Sequence, residues 1–378
     1  MEGRMRFWKS VYVSLVMVIV LMMIFNCTGC SDNAVTTKDN ESSVLKVMTI
    51  NVWSGLDYEG TLSMGEYESE ERRMKRYRSL LENINRVSPD VIAVNEANYL
   101  PDYVEKLAED IDYDYIYHVG IAGLQVFRLG IPWNLKEGDA ILARKTLGLE
   151  KVGRKQLSGG GFIWNNLSFH TSDATQVLVG RITWNTQPVY LAVTHWHASP
   201  GDTRRYRDLL KKLKEKWDYN DTEYNEAITS LERDNKWRMD ESEIMSAYLE
   251  TVVPPGKPVI LMGDFNASID SPEMQYLLSR GYYDSFSNVR VEPGFTWDPM
   301  RNINIQEYYI ENIEKKYKDL YTHLNQYNEM ERQRIDFVLV GGSLSKESVV
   351  ESSVCTDNVY EDVHPSDHFG VCADILIK

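Results

Sequence analysis

Pro258-Val259-Ile260-Leu261-Met262-Gly263-Asp264-Phe265-Asn266 is an apolar run that ends in two polar groups. A short β-branched run closed by turn residues reads as a buried strand. Asp264 and Asn266 then stand two residues apart at its C-terminal end. Period-2 geometry points both side chains the same way, with Phe265 opposite. A carboxylate able to take a proton beside an amide able to hold an oxyanion is half of a site for hydrolysing a phosphate ester. The competing reading is a strand followed by an Asx-type turn, since both residue types favour turns. The other strand ends decide between them.

Working outward, residues 45–53 alternate as a strand, and 90–94 form a buried strand ending at Asn95-Glu96. Residues 140–143 follow a Gly138-Asp139 turn. Residues 175–184 and 188–196 read as a hairpin around Asn185-Thr186-Gln187. Three more strands are expected at 335–340, 349–355 and 371–377. Helical spacing marks 68–87, two stretches within 203–250, 272–280 and the Tyr-rich 303–331. Strands outnumber helices and several strand pairs are joined by short turns. That predicts mixed sheets rather than a doubly wound parallel sheet.

Six strand ends carry polar groups that a core does not need: Asn51, Glu96, His195, Asp264 with Asn266, Asp336 beside Arg334, and Asp367-His368. A buried carboxylate needs a partner. Several at neighbouring strand ends can hold a hard divalent cation, which neutralises phosphate oxygens and leaving-group charge. A carboxylate can deprotonate water, and a His held by an Asp can act as an acid or stabilise a charged transition state.

Ile50-Asn51, Asn95-Glu96, Thr194-His195, Gly263-Asp264-Phe265-Asn266, Arg334-Ile335-Asp336-Phe337 and Ser366-Asp367-His368-Phe369-Gly370 stand in the order of a known superfamily. Over roughly 45–378 the chain resembles the endonuclease/exonuclease/phosphatase superfamily, which includes DNase I-like nucleases, abasic-site endonucleases, type C sphingomyelinases and inositol-polyphosphate 5-phosphatases. Asp284 and the run Phe295-Thr296-Trp297 also look like family features. The resemblance implies a four-layer α/β sandwich, two packed mixed β-sheets flanked by helices, with the site where strand ends meet. It implies Glu96 as the principal Mg²⁺ ligand with Asn51 beside it, Mn²⁺ and Ca²⁺ being alternative ions. Asp367 would add a metal contact through water. Asp264 would activate water for in-line attack, and Asn266 would hold the phosphate or the nucleophile. His368 would contact the scissile phosphate, with its tautomer fixed by Asp336. His195 would bind the phosphate or assist the leaving group. Asn95 departs from the Gln that many members carry, which implies altered contacts around the metal ligand without loss of binding.

Residues 1–29 read as a lipoprotein-type signal peptide. Arg4, Arg6 and Lys9 precede the uncharged apolar run 11–25, and Thr28-Gly29-Cys30 resembles a lipidation site, although Cys27 stands where a Leu-like residue is usual. An ordinary signal peptide and an uncleaved anchor are the alternatives. Residues 30–43 read as a flexible tether and 44–378 as the catalytic domain. The expected protein is exported, anchored to a bacterial membrane through a lipid on Cys30 and monomeric. Loss of 1–29 removes a net +2, so the −15 of the full chain becomes −17. That balance excludes a stable nucleic-acid partner held by a basic surface, though not nuclease chemistry in a cleft. Cys355 and Cys372 could form one disulfide or remain two thiols.

The expected activity is a metal-dependent phosphodiesterase acting on nucleic acid or a phospholipid-type head group. Alternatives are a phosphomonoesterase on inositol or sugar phosphates and a silent binding module on the same fold. A membrane-acting lipase would carry exposed apolar hairpins, and none is evident between the motifs. Residues 203–236 and 298–331 read as insertions shaping the substrate rim. His197 reads as a rim residue, and His118, His170, His323 and His364 as structural or exposed. Among Trp53, Trp133, Trp164, Trp196 and Trp297, at least half read as core.

Overall fold

The strand Pro258–Asp264 is buried at every residue, so it needs cover on both faces. The computed structural model, which describes residues 44–170, 172, 174–309 and 313–378, supplies that cover as layers. The strands are β1 (Val44–Asn51), β2 (Val91–Ala97), β3 (Tyr113–Ile121), β4 (Leu124–Val126), β5 (Leu129–Ile131), β6 (Glu137–Arg144), β7 (Glu150–Gln156), β8 (Gly161–Ile163), β9 (Leu167–His170), β10 (Gln176–Trp184), β11 (Gln187–His195), β12 (Pro258–Asp264), β13 (Tyr283–Asp284), β14 (Asp336–Gly342), β15 (Val349–Cys355) and β16 (Gly370–Leu376). One sheet runs β15-β16-β1-β2-β6-β3 and the other β13-β14-β12-β11-β10-β7. Each holds one parallel pair, β1–β2 in the first and β11–β12 in the second, among antiparallel neighbours. Both sheets are therefore mixed.

Alternation along the strands sorts the core into three slabs. Val47, Val91 and Ile141 of the first sheet meet Leu191, Ile260 and Val338 of the second. Met48, Ile92 and Leu142 face the other way, onto Leu80 and Ile84 of the helix Glu70–Val87 and Leu107 of the helix Asp102–Ile111. Val179, Ala192 and Leu261 face Met245 of the helix Asp221–Val252 and Leu277 of the helix Pro272–Ser279. The result is helix, sheet, sheet, helix, the four-layer sandwich expected. Every described element belongs to one compact unit, Ser42–Lys378.

Local chemistry sets the element boundaries. Ser69, Thr203, Ser271 and Asp319 cap helices through their side chains. Asn220 and Glu223 form a capping box, so the helix Asp221–Val252 starts well before the apolar periodicity near Trp237. The 10–11 hairpin turns on Asn185 and Thr186, both at positive φ (47° and 69°), as a two-residue loop requires. Cys355 and Cys372 form a disulfide between the neighbouring strands β15 and β16.

Several expectations need correction. Gly138-Asp139 is not a turn but lies inside β6, paired on both sides. Residues 303–331 are not one helix: Ile303–Tyr308 and Leu320–Glu329 are separate. Helix Asp102–Ile111 and strands β3–β5 and β7–β9 were not expected. β5-β4-β9-β8 form a third, small antiparallel sheet. Its two hairpins expose Leu124, Phe127, Leu129 and Phe169 to solvent, so exposed apolar hairpins do stand between the motifs. Strands of three or four residues interrupted by Gly and Asn fall below the run length that period-2 reading needs.

The insertions pack on each other. Leu210 and Leu213 from Arg204–Trp217, Leu231 from Asp221–Val252, and Leu320 and Leu324 share a separate small core. The lipoprotein signal, Cys30 and the tether at 1–43 lie outside the described residues. Among the described residues, no helix is long and apolar enough to cross a membrane.

Candidate active site

Strand register brings the predicted residues together. His195 pairs with Asp264 across β11–β12, Asp264 with Asp336 across β12–β14, and Asn51 with Asn95 across β1–β2. At Gly263, φ is +138° and a Cβ would stand 1.9 Å from the Thr194 carbonyl oxygen, so only glycine lets β12 approach β11 there. Glu96 sits at φ 57° inside a β-bulge, where Asn95 and Glu96 oppose Asp139 alone. The bulge turns Glu96 out of the strand alternation.

A hydrogen-bonded net links these groups. Asn51 Nδ2 donates to Glu96 Oε1 at 2.7 Å and to Asp264 Oδ2 at 3.1 Å, while its Oδ1 accepts from the Trp53 amide at 2.9 Å. Glu96 Oε2 accepts from the Ser54 amide at 3.1 Å. Asp264 Oδ1 accepts from the Asn266 amide at 2.9 Å, and Asn266 Nδ2 donates to the Trp196 carbonyl at 2.9 Å. His368 Nδ1 donates to Asp336 Oδ2 at 2.8 Å, and its Nε2 lies 3.8 Å from Asp264 Oδ2. His195 Nε2 is 3.7 Å from Asp264 Oδ2 and 3.9 Å from Glu96 Oε1. The seven side chains Asn51, Glu96, His195, Asp264, Asn266, Asp336 and His368 thus converge. Asp367 accepts from Ser366 Oγ at 3.0 Å and lines the same cavity.

Asn95 is a bolt between the two sheets. Its Nδ2 donates to Asp139 Oδ1 and the Thr194 carbonyl, and its Oδ1 accepts from the Asp264 amide. Arg76, buried beneath the site, pairs with Glu68 and donates to the carbonyls of Val52, Trp53 and Pro365. It thereby holds the segments that follow Asn51 and precede Asp367.

The cavity is about 500 Å³. Glu96, Glu137, Asp139, Asp264, Glu329 and Asp367 line it, and no Lys or Arg among the described residues does. The electrostatics follow. Burial pushes Glu137 up to about 8, Glu329 to about 7, and Asp139 and Asp367 to about 6, with neighbouring carboxylates adding to each. Burial alone would lower His195, but Asp264, Glu96, Asp139 and Glu137 outweigh it and raise it to about 9. The same balance, led by Asp336 and Asp264, holds His368 well above the usual range. Burial raises Asp336, whose Oδ1 has no hydrogen-bond partner.

Further residues complete the site: Thr296 and Trp297 from the family-like run Phe295-Thr296-Trp297, and others with no sequence signal. Tyr58 donates to Glu137 Oε2. Thr296 Oγ1 accepts from the amides of Ile335 and Asp336 at 3.1 and 3.2 Å. The Trp297 ring packs edge-on to His368 at 5.3 Å. Asn325, Asn328 and Glu329 bring one insertion to the rim. The remaining expectations resolve as structural. His197 stacks on Trp237 at 3.9 Å on the rim. His118, His323 and His364 are buried, and His170 Nε2 accepts from the amides of Ala122 and Gly123. Arg334 pairs with Asp284 at 2.8 Å. Trp133 and Trp164 are exposed in the small sheet, while Trp53, Trp196 and Trp297 are buried.

Asp264, Asp336 and His368 offer ligand atoms within 4.8 Å of one another. The His368–Asp336 hydrogen bond already uses two of those atoms, which fits a hydrogen-bonded relay better than a metal cage. Glu96 and Asp367, with all-oxygen donors facing the cavity, suit a hard cation better. The unbalanced carboxylates that face the cavity are what such a cation would relieve.

Comparison with known proteins agrees with this geometry. The sequence model of the endonuclease/exonuclease/phosphatase family matches residues 48–368. No curated protein sequence matches the chain. Among solved structures, D. rerio TDP2 complexed with a single-strand DNA product is similar at a TM-score of 0.53 and 16% identity, covering 88% of this chain and 98% of that one. A family protein from Bacteroides thetaiotaomicron gives 0.53 and 16%, covering 89% and 98%. A Bacteroides thetaiotaomicron mannosyl-6-phosphatase gives 0.51 and 16%, covering 87% and 98%. Its sequence, sheets and strand-end site all agree: the chain belongs to the endonuclease/exonuclease/phosphatase family, whose members hydrolyse phosphoester bonds.

Proposed function

We propose that the protein is a Mg²⁺-dependent phosphodiesterase. One observation carries the choice of a diester: among the described residues, six carboxylates line the cavity and no Lys or Arg does. A diester brings one negative charge into that field and a monoester brings nearly two, so the diester pays the smaller electrostatic cost. Glu96 with Asn51 beside it, and Asp367 through water, would hold the ion. When bound, the ion would neutralise phosphate oxygens and the charge growing on the leaving group.

The chain's own residues perform the remaining steps. Asp264, with Oδ1 occupied by the Asn266 amide, presents Oδ2 to the cavity as the acceptor of a water proton. Asn266 orients the phosphate or the attacking water. His368 donates to Asp336 from Nδ1, which leaves an Nε2–H to stabilise the developing phosphorane charge. His195, held cationic by its carboxylate neighbours, assists the leaving oxygen. Attack is in line, with no covalent enzyme intermediate. Every member of the constellation is present, which favours an enzyme over a silent binding module.

The mannosyl-6-phosphatase neighbour favours a second reading, a phosphomonoesterase on a sugar or inositol phosphate. We also infer from the sequence pattern alone that residues 1–29 direct export, that Cys30 carries a lipid and that the protein is monomeric. The test is a panel of diester, monoester, DNA, RNA and phospholipid substrates with Mg²⁺ and then EDTA, with Asp264→Ala as the control. Diester turnover that EDTA and the substitution abolish is expected. Turnover indifferent to both would overturn the mechanism, and monoester turnover alone would select the second reading.

A further inference from the structure

The small sheet β5-β4-β9-β8 is built inside out. Its inward positions are Gln125, Ile163 and Ser168, all buried, and its outward positions are apolar. Gln125 Nε2 donates to the carbonyls of Pro132 and Leu135, and Ser168 Oγ to that of Gly123, so the polar side chains are held by backbone beneath the sheet. Outward stand Leu129 at 81% exposed, Leu124 at 54% and Phe169 at 51%, and next to the strands Phe127 at 67%, Trp133 at 63% and Trp164 at 54% are exposed as well. A water-facing sheet alternates the other way. Residues 124–135 hold one charge, Arg128, and residues 159–170 hold none besides His170. A contiguous apolar surface of this kind marks an interaction site.

We propose that this face docks on a lipid bilayer. Two observations select lipid over a protein partner. The chain outside the described residues carries the uncharged apolar run 11–25 behind Arg4, Arg6 and Lys9, a membrane-directed pattern. Whether the chain keeps that run or loses it and carries a lipid on Cys30, at most the 18 residues from Asn26 to Ser43, about 60 Å fully extended, separate the anchor from the domain, so the membrane is within reach of the sheet. Second, the sheet combines exposed Trp, Phe and Leu with almost no charge. That composition suits the acyl boundary, where Trp and Phe anchor interfacial elements. The consequence concerns the site. The β4–β5 hairpin leaves the body between Ile121 and Glu137, and the β8–β9 hairpin returns to it at Ala174, all three of which line the cavity. A docked sheet therefore sets the cavity mouth beside the head-group layer. The inference goes beyond phosphoester hydrolysis and does not depend on it.

The test uses the full chain on phosphatidylcholine vesicles whose acyl chains carry bromine. An environment-sensitive fluorophore is placed at Leu129→Cys, with the equally treated wild type as baseline. Emission should shift to the blue and be quenched by the bromines. Adding Trp133→Ser and Trp164→Ser should lower the docked-to-undocked ratio by on the order of a hundredfold, about tenfold for each large apolar side chain. All three positions are exposed, and the near-ultraviolet dichroism of each variant confirms the fold. A label that stays in water on vesicles overturns the proposal. So does Leu129→Cys that forms disulfide-linked dimers equally with and without lipid, since a second copy then covers the face. A blue shift already present without lipid assigns the face to residues 11–25 and also overturns it. Release of the chain from vesicles when Cys30 is replaced tests the lipid anchor separately.

Discussion

Asp336→Asn is the substitution that separates the proposed chemistry from the fold. Asp336 is fully buried, and its Oδ2 accepts from His368 Nδ1 at 2.8 Å. The amide is isosteric but carries no charge, so His368 loses the first of the charges that raise it. A hydrogen bond between charged groups is worth about 1.5–3 kcal/mol, and two unit charges about 4 Å apart interact by about 4 kcal/mol at an effective dielectric of 20. A loss of about 3–4 kcal/mol of transition-state stabilisation corresponds to a fall in kcat of roughly 10²–10³. KM should change little, because the lost charge acts on the transition state rather than on the bound ground state. Stability should fall by less than activity, because burial cost recovered at Asp336 offsets part of the lost ion pair. Asp336 Oδ1 has no partner, and burial already disfavours the charged carboxylate, so Asn lowers the cost of burial. The assay is diester turnover from pH 5 to 9, with thermal unfolding and histidine side-chain NMR on the same samples. A kcat within threefold of wild type and an unchanged pH profile would refute the reasoning, as would an activity loss that simply follows a fall in Tm.

Three further outcomes follow from the same net. In EDTA the stability of the protein should decline as pH rises from about 5 to 9: Asp139, Asp367, Glu329, Glu137 and His195 titrate in the folded state near 6, 6, 7, 8 and 9, each above its unfolded value, so the folded state binds more protons than the unfolded state throughout that window. Mg²⁺ should then raise Tm more at pH 8 than at pH 5.5, and equal shifts at both would contradict the carboxylate cluster as the metal site. Arg76→Ala should cost about 3–5 kcal/mol, because it leaves buried Glu68 with the longer contact to Arg73 at 3.7 Å and releases three carbonyls; denaturant unfolding reads this, and a cost below about 1 kcal/mol would show that the clamp is idle. Gly263→Ala should abolish soluble protein or activity, since its Cβ meets the Thr194 carbonyl oxygen at 1.9 Å, and a normally active variant would contradict the β11–β12 register.

What was legible in the sequence is what periodicity encodes. β1, β11 and β12 are buried or alternate cleanly and end on Asn51, His195 and Asp264, Glu96 follows the apolar part of β2, and β14 opens on Asp336 directly before an apolar run. Polar residues that bound such runs are not needed by a core, so these five were legible. Glu137 and Asp139 escaped because Gly138 between them imitates a turn. The bulge at Asn95-Glu96 left no trace, since two polar residues after an apolar run look the same whether or not the strand continues to Ala97. Glu329 escaped because its role depends on which insertion packs where, a long-range fact with no local signature. The inverted sheet was invisible for a related reason: alternation is the same pattern whichever face turns outward, and only tertiary contact decides it.

The division between strand ends and insertions also locates where specificity resides. The cavity floor is made of β6, β11 and β12, with β14 paired to β12 beside it, and that register leaves no freedom to reposition His195, Asp264 or Asp336. One wall is the helix Leu320–Glu329, which presents Asn325, Asn328 and Glu329 to the cavity. That helix is seated by Leu320 and Leu324 against Leu210, Leu213 and Leu231, a core the sandwich itself does not share. Trp297 joins the two regions, since its ring packs on His368 and its Nε1 donates to the Glu329 carbonyl at 2.9 Å. The amides of Asn325 and Asn328 are neutral donors and acceptors, suited to hydroxyl or carbonyl groups and not to a second phosphate. Any discrimination among phosphoester substrates therefore falls to this insertion wall and not to the strand-end floor.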